Sequence, residues 1–253
     1  MSCVVADKSV IVTGAASGIG KACAAYLLAG GNRVLAMDLD MVRLAAAFPE
    51  RDEQQLVLFA GDVSQAPACV AAVEAACRQF GRLDALMHWA GRHSIKTWDE
   101  LTAEDFADLL AVNVTGAFLM AQAAARRMKD DGGGAIVLTG STAVIHAPIG
   151  GKAGNGGPAY VTAKAAVTGL VRTLARALGS HGIRVNGIAP GVTETPMIGN
   201  YSEQSRQAQI AQSPMGRIGS AEEVAEAGCL LIADASRYVS GEMLIVNGAT
   251  SFG

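Results

Sequence analysis

Apolar residues fall along this chain in two alternating patterns. Short runs dominated by β-branched and aliphatic side chains occupy 9–13, 33–37, 56–59, 85–88, 135–139, 184–188 and 243–246. Runs that do not alternate apolar with polar residues predict strands buried on both faces. Ala-rich stretches of helical length lie between them, at 18–29, 66–80, 103–128, 159–178 and 221–233. Strands that alternate with helices predict an α/β fold, a doubly wound parallel sheet of about seven strands with helices on both faces. Right-handed crossovers then put the ligand site at the carboxyl ends of the strands. No low-complexity linker interrupts the pattern, so residues 1–253 are expected to form a single domain.

Helix signals refine the picture. Ser220 followed by Glu223 reads as a capping box, and Gly182 stands where a helix ending near His181 needs a left-handed stop. The 103–128 stretch carries Phe106, Leu109, Leu110, Val114, Phe118, Leu119 and Met120, apolar on more than one face. Such a helix packs on the sheet with one side and is expected to meet a second subunit with the other.

Composition narrows the class of function. The chain is 51% hydrophobic and 17% charged, which excludes disorder and leaves room for subunit contacts. A net charge of −3 gives no basic field for nucleic acid. The cluster Arg126-Arg127-Met128-Lys129 fits a helix C-terminus, where cations suit the dipole. Five cysteines, an odd count without a C-x-x-C pair, read as core residues in a reducing compartment, and no metal site is expected. The first residues lack a signal pattern, and no apolar run is long enough to span a bilayer. The expectation is a cytoplasmic protein without a membrane partner.

The first strand runs into Thr13-Gly14-Ala15-Ala16-Ser17-Gly18-Ile19-Gly20 and then a helix. A strand, a glycine-rich turn and a helix form a Rossmann-type unit, in which backbone N–H groups approach a pyrophosphate at the helix N-terminus. Asp38 ends the second strand, about 20 residues beyond Gly18, the distance at which an acid accepts from the ribose hydroxyls of NAD. Asp38 would repel the additional phosphate of NADP, and Leu39 and Asp40 follow with no Arg beside them. Asp62, before Val63, stands at the same sheet edge, either as an acceptor for the adenine amino group or as a helix N-cap with Ser64.

Tyr160 and Lys164 share one helix face. A nearby ammonium favours ionisation of the phenol, whose ordinary pKa is near 10. Together the glycine pattern, Asn113 in Val112-Asn113-Val114, Ser141 after Gly140, Tyr160-x-x-x-Lys164 and Pro190-Gly191 resemble the short-chain dehydrogenase/reductase family over essentially the whole chain. The resemblance implies that Tyr160 is the general acid/base, that Ser141 hydrogen-bonds the reacting oxygen, and that Lys164 lowers the Tyr160 pKa and binds the nicotinamide ribose. It implies that Asn113 holds a water relaying protons from Lys164. By the same resemblance, Gly14, Ser17, Gly18, Ile19, Gly20, Asp38, Leu39, Asp62, Val63, Ala90, Gly91, Pro190, Gly191, Val192 and Thr195 join Tyr160 and Lys164 in holding NAD.

Two departures from the family stand out. His88-Trp89-Ala90-Gly91 replaces the usual Asn-Asn-Ala-Gly; His88 is expected to be a satisfied core residue, and Trp89 to pack along or narrow the cofactor site. Ser141 and Tyr160 are also farther apart than usual, by a Gly-rich insertion at 149–158. The insertion is either a harmless bulge or a loop over the substrate mouth, since both its ends lead to site residues. The loops 92–98, 142–158 and 193–214 mix Ala143, Val144, Ile145, Pro148, Met197, Ile198 and Tyr201 with His93 and His146. They suggest a small, mainly apolar alcohol or ketone as substrate. The expected activity is NAD-dependent interconversion of a secondary alcohol and a ketone. An NADP-type 3-oxoacyl-carrier-protein reductase and a non-catalytic NAD-binding protein are the alternatives. A homo-oligomer, tetramer or dimer, is expected.

Overall fold

Strand β1 (Ser9–Thr13) is wholly buried, as its apolar run requires, and lies at the centre of a parallel sheet. It pairs on one side with β2 (Arg33–Asp38), which pairs with β3 (Leu56–Ala60). On the other side follow β4 (Ala85–His88), β5 (Gly134–Thr139), β6 (Ile183–Pro190) and, at the edge, β9 (Met243–Val246). The order β3-β2-β1-β4-β5-β6-β9 is the doubly wound arrangement that the sequence predicts, and every pairing in it is parallel. The strand order reverses between β1 and β4, which opens a crevice beyond the carboxyl ends of those strands. The computed structural model describes residues 4–50, 52–151, 156–199 and 201–252. Residues 152–155 of the Gly-rich insertion and Cys3 therefore lie outside the described residues.

Helices α1 (Gly18–Ala29), α2 (Met41–Ala47) and α9 (Ala221–Leu230) cover one face, where Leu27, Leu44 and Val224 meet Val10, Val12, Val34 and Met87. Helices α3 (Ala66–Phe80), α5 (Gly116–Asp130) and α7 (Pro158–Leu178) cover the other with Val73, Met120, Met128 and Val167 against Ile11, Leu86 and Ile136. Ser220 and Glu223 form the expected capping box on α9. Gly182 takes the left-handed conformation, φ 72°, after a 3₁₀ turn.

The long apolar stretch departs from the plain helix expected of it. Helix α4 (Ala103–Leu110) passes through a π turn (Ala111–Thr115) into α5. The resulting helix Ala103–Asp130 has 28 residues and is long and apolar enough, by composition, to cross a bilayer, contrary to the sequence expectation. Asn113, Thr115 and Gln122 break the apolar run in sequence without breaking the helix. Its inner face belongs to the core through Ala117, Met120, Ala124 and Met128, as a core helix of this fold requires.

The 193–214 segment is more regular than a loop. It holds β7 (Thr193–Glu194), which pairs with β8 (Gly219–Ser220), and helix α8 (Glu203–Gln212). The sequence EQSRQAQIAQ is polar on every side and offers no apolar stripe to betray a helix. Short α2 and α6 (Ala143–His146) escaped prediction for lack of length.

Candidate active site

One cavity of about 930 Å³ runs along the carboxyl ends of the strands. It is lined by the glycine turn, Asp38, Asp62, Asn113, Ser141, Tyr160 and Lys164, which the topology collects from six separate segments. At one end the N-terminus of α1 faces it. No side chain caps the first N–H groups of α1 and no acid occupies its first turn, which leaves its positive end free for an anion. Gly14 has φ +67°, and a Cβ there would stand 2.9 Å from the backbone nitrogen of Ala90. At Gly18, φ +52°, a Cβ would crowd Thr195 Cγ2 at 3.2 Å. Ser17, Ile19 and Gly20 line the same stretch. This cradle fits a dinucleotide pyrophosphate.

Asp38 is held at the rim by two backbone donors. Ala16 N–H donates to Oδ2 at 3.0 Å and Leu39 N–H to Oδ1 at 2.8 Å. Each oxygen retains a lone pair for a ribose hydroxyl. Arg43, in the first turn of α2, lines this end as well. The sequence reading saw no Arg beside Asp38; the turn of α2 brings one into the same cavity from five residues on. Asp62 does not cap α3, whose N-cap is Gln65 without a side-chain bond. Its Oδ1 instead accepts from the N–H and the hydroxyl of Ser64, both at 2.8 Å. Val63 is buried against Gly116, while Leu39 is exposed at the rim.

At the other end, Tyr160 and Lys164 project from α7 into the cavity, both nearly enclosed. Lys164 Nζ lies 5.8 Å from the Tyr160 ring centroid and donates to the Thr139 carbonyl at 2.8 Å. Burial lowers the Lys164 pKa to about 8. Burial also raises the Tyr160 pKa, and a hydrogen bond with the Ser141 side chain opposes it. The expected lowering of Tyr160 by Lys164 is not seen: desolvation, opposed by the Ser141 bond, leaves the phenol above its ordinary value. Ser141 Oγ is oriented further by the N–H of Ala143 at 3.1 Å.

Asn113 sits in the π turn, fully buried, with its amide committed. Nδ2 donates to the carbonyls of Arg92 and Leu109, each at 3.0 Å, and Oδ1 accepts from Arg92 N–H at 3.2 Å. Asn113 therefore holds the chain just after Gly91, where a Cβ would stand 2.7 Å from its Oδ1. Pro190 ends β6, Gly191, Val192 and Thr195 follow it along the cavity wall, and the Thr195 hydroxyl donates to the Thr193 carbonyl at 3.3 Å.

His88 is only half satisfied. Its Nδ1 lies 3.0 Å from Thr13 Oγ1, which also accepts from Ala90 N–H at 3.1 Å; Nε2 has no partner among the described residues. Desolvation, aided by Lys164, lowers its pKa to about 3, so the ring is neutral. Trp89 packs against the flat face of α9 at Gly228, where a Cβ would come within 3.0 Å of its ring, and its Nε1 is buried without a partner among the described residues. Trp89 also lines the cavity, as expected of so large a residue at that place. His93 was named in sequence only as a polar loop residue. Its ring meets Tyr160 edge-on, centroids 4.7 Å apart. No sequence signal announces that contact.

Comparison with known proteins agrees with this geometry. The sequence model of the family described as enoyl-(acyl carrier protein) reductase matches residues 14–250. A 3alpha-hydroxysteroid dehydrogenase of Mediterraneibacter gnavus is 35% identical over 250 residues, 96% of either chain. The 3-oxoacyl-(acyl-carrier-protein) reductase of Escherichia coli is 34% identical over 244 residues, 95% of this chain and 96% of that one. A solved structure of a glucose/ribitol dehydrogenase from Brucella melitensis superposes with a TM-score of 0.92 at 28% identity, covering all of both chains.

Proposed function

Because the chain belongs to the short-chain dehydrogenase/reductase family, a family of oxidoreductases acting on CH–OH groups, we propose that it interconverts a secondary alcohol and a ketone with NAD as hydride carrier. The observation that carries this reading is the Ser141–Tyr160–Lys164 constellation, which opens into the same cavity as the uncapped α1 N-terminus and Asp38. The dinucleotide would accept or return hydride at its nicotinamide and, when oxidised, contribute a positive charge to the cavity. Tyr160 takes the alcohol proton during oxidation and returns it during reduction. Ser141 donates to the same substrate oxygen and steadies its developing charge. Lys164, anchored on the Thr139 carbonyl, keeps two ammonium hydrogens for a ribose hydroxyl and the proton path. Asn113 fixes the Gly91–Arg92 backbone along the cofactor wall.

Reduced-nicotinamide absorbance with NAD and then NADP, over a panel of secondary alcohols and ketones, tests the proposal. Turnover with a clear NAD preference is expected, because Asp38 faces an additional phosphate with like charge. Tyr160→Phe is expected to lose about 10²–10⁴-fold in kcat while NAD affinity, followed by fluorescence titration, changes little. Unchanged turnover in that variant would end the acid/base assignment.

Arg43 supports a second reading. A guanidinium at the Asp38 end offers a 2′-phosphate a partner, and an Escherichia coli relative is a 3-oxoacyl-carrier-protein reductase. Preference for NADP, together with reduction of a 3-oxoacyl thioester, would favour it over the first.

A further inference from the structure

His93 is a polar side chain in direct contact with Tyr160 that the proposed chemistry leaves unused. It stands on the loop after β4, and its ring plane crosses that of Tyr160 at 76°. The ring shares the cavity with Ser141 and Tyr160. Neither ring nitrogen has a hydrogen-bond partner among the described residues. Burial and the nearby charge of Lys164 lower its pKa, so at neutral pH the ring is uncharged and offers one donor and one acceptor.

The long Ser141–Tyr160 segment holds this loop in place. Gly157 N–H donates to the Ser94 carbonyl at 2.8 Å, and Gly151 N–H to the Ile95 carbonyl at 2.6 Å. These bonds fix the two residues that follow His93. Gly156, at φ +83°, packs against the edge of both rings, where only a residue without a side chain fits: a Cβ there would stand 2.7 Å from Tyr160 Cδ1 and 3.4 Å from His93 Nε2. The described glycines of the insertion thus do two jobs. Gly151 and Gly157 tie the His93 loop to the start of α7, and Gly156 puts no side chain of its own on the edge of the two rings.

We infer that His93 determines substrate specificity, one of its free ring nitrogens hydrogen-bonding a second, uncharged oxygen on the carbon next to the reacting one. The substrates are then vicinal diols and hydroxy ketones rather than simple alcohols and ketones. A neutral imidazole suits a hydroxyl or carbonyl; it gives a carboxylate no counter-charge. A site built to bond a hydroxyl discriminates strongly against the analogue without it, because its own polar group is left unpaired. The inference rests on the alcohol–ketone reading above.

The test uses matched pairs of secondary alcohols with and without an adjacent hydroxyl, such as 1-phenyl-1,2-ethanediol against 1-phenylethanol. The native chain is expected to favour the diol members at least tenfold in kcat/KM. His93→Ala is expected to bring that ratio close to one, and His93→Gln, which keeps a donor and an acceptor, to restore part of it. Circular dichroism of both variants confirms that they fold. Three results would overturn the inference: no diol preference in the native chain, a preference that survives in His93→Ala, or equal losses on both substrates in both variants, which would mean that the ring only supports Tyr160. Absence of turnover by the native chain with any pair and either cofactor would instead overturn the alcohol–ketone reading, and the inference with it.

Discussion

Single residues set the electrostatics of the cavity, and burial is the common cause. It raises Tyr160, lowers Lys164 to about 8 and lowers His88 to about 3. His88 has a consequence for stability. Its folded pKa lies below its unfolded value of about 6.5, so between those values the unfolded chain binds a proton that the native chain refuses. The neutral ring's contribution is complete above pH 6.5 and declines as the pH falls toward 3. In urea titrations the native chain is expected to lose about 2–3 kcal/mol more than His88→Asn between pH 7 and pH 4.5, at about 1.4 kcal/mol per pH unit. Equal losses would show that the ring takes up its proton without cost. Tyr160, Lys164, Ser141 and Asp38 were legible in sequence because spacing and order carry them. The positions of Arg43, His93 and the unpaired Nε2 of His88 were not. They depend on how loops and helix ends meet across the cavity, which no local pattern encodes.

Elements show the same division. All seven strands of the main sheet lie within two residues of their predicted limits, because short runs rich in β-branched and aliphatic residues are a strong signal. Helices α1, α3, α7 and α9 were readable from Ala-rich apolar stripes, whereas α8, polar on every side, was not. The π turn was invisible too. An extra residue in a helix leaves the composition unchanged, and the compensation lies in contacts with a distant loop. Asn113 supplies that compensation through two side-chain hydrogen bonds with the Arg92 backbone, and a third to the Leu109 carbonyl holds it within its own helix. At about 1 kcal/mol each, Asn113→Ala is expected to cost about 2–3 kcal/mol in chemical unfolding. Turnover is expected to fall as well, since the chain after Gly91 loses its tether. A variant of wild-type stability would show that the π turn holds without its side-chain bonds.

At the scale of the molecule, the outer face of the 103–130 helix remains open. Phe118 is 38% exposed, and Phe106, Leu110, Val114 and Leu119 are only partly covered. We propose that a second copy of the chain packs there, as the apolarity of more than one helix face suggests. Sedimentation velocity is expected to show an oligomer for the native chain and a smaller species for Phe118→Arg. A native monomer would refute this.

The sheet order also dictates a timetable. Among the described residues the strand β9 is last in chain order, pairs with β6 alone, and leads into Asn247, Gly248 and Thr250, which line the cavity. The glycine cradle of β1 and α1, by contrast, is made of residues near the beginning. A chain emerging from the ribosome thus has its phosphate cradle in hand long before the opposite wall exists. Parallel pairings between distant segments form slowly, because the intervening chain must be ordered before they contribute. Cofactor added during refolding therefore meets a half-built cleft first, and the cavity closes only when the final strand docks.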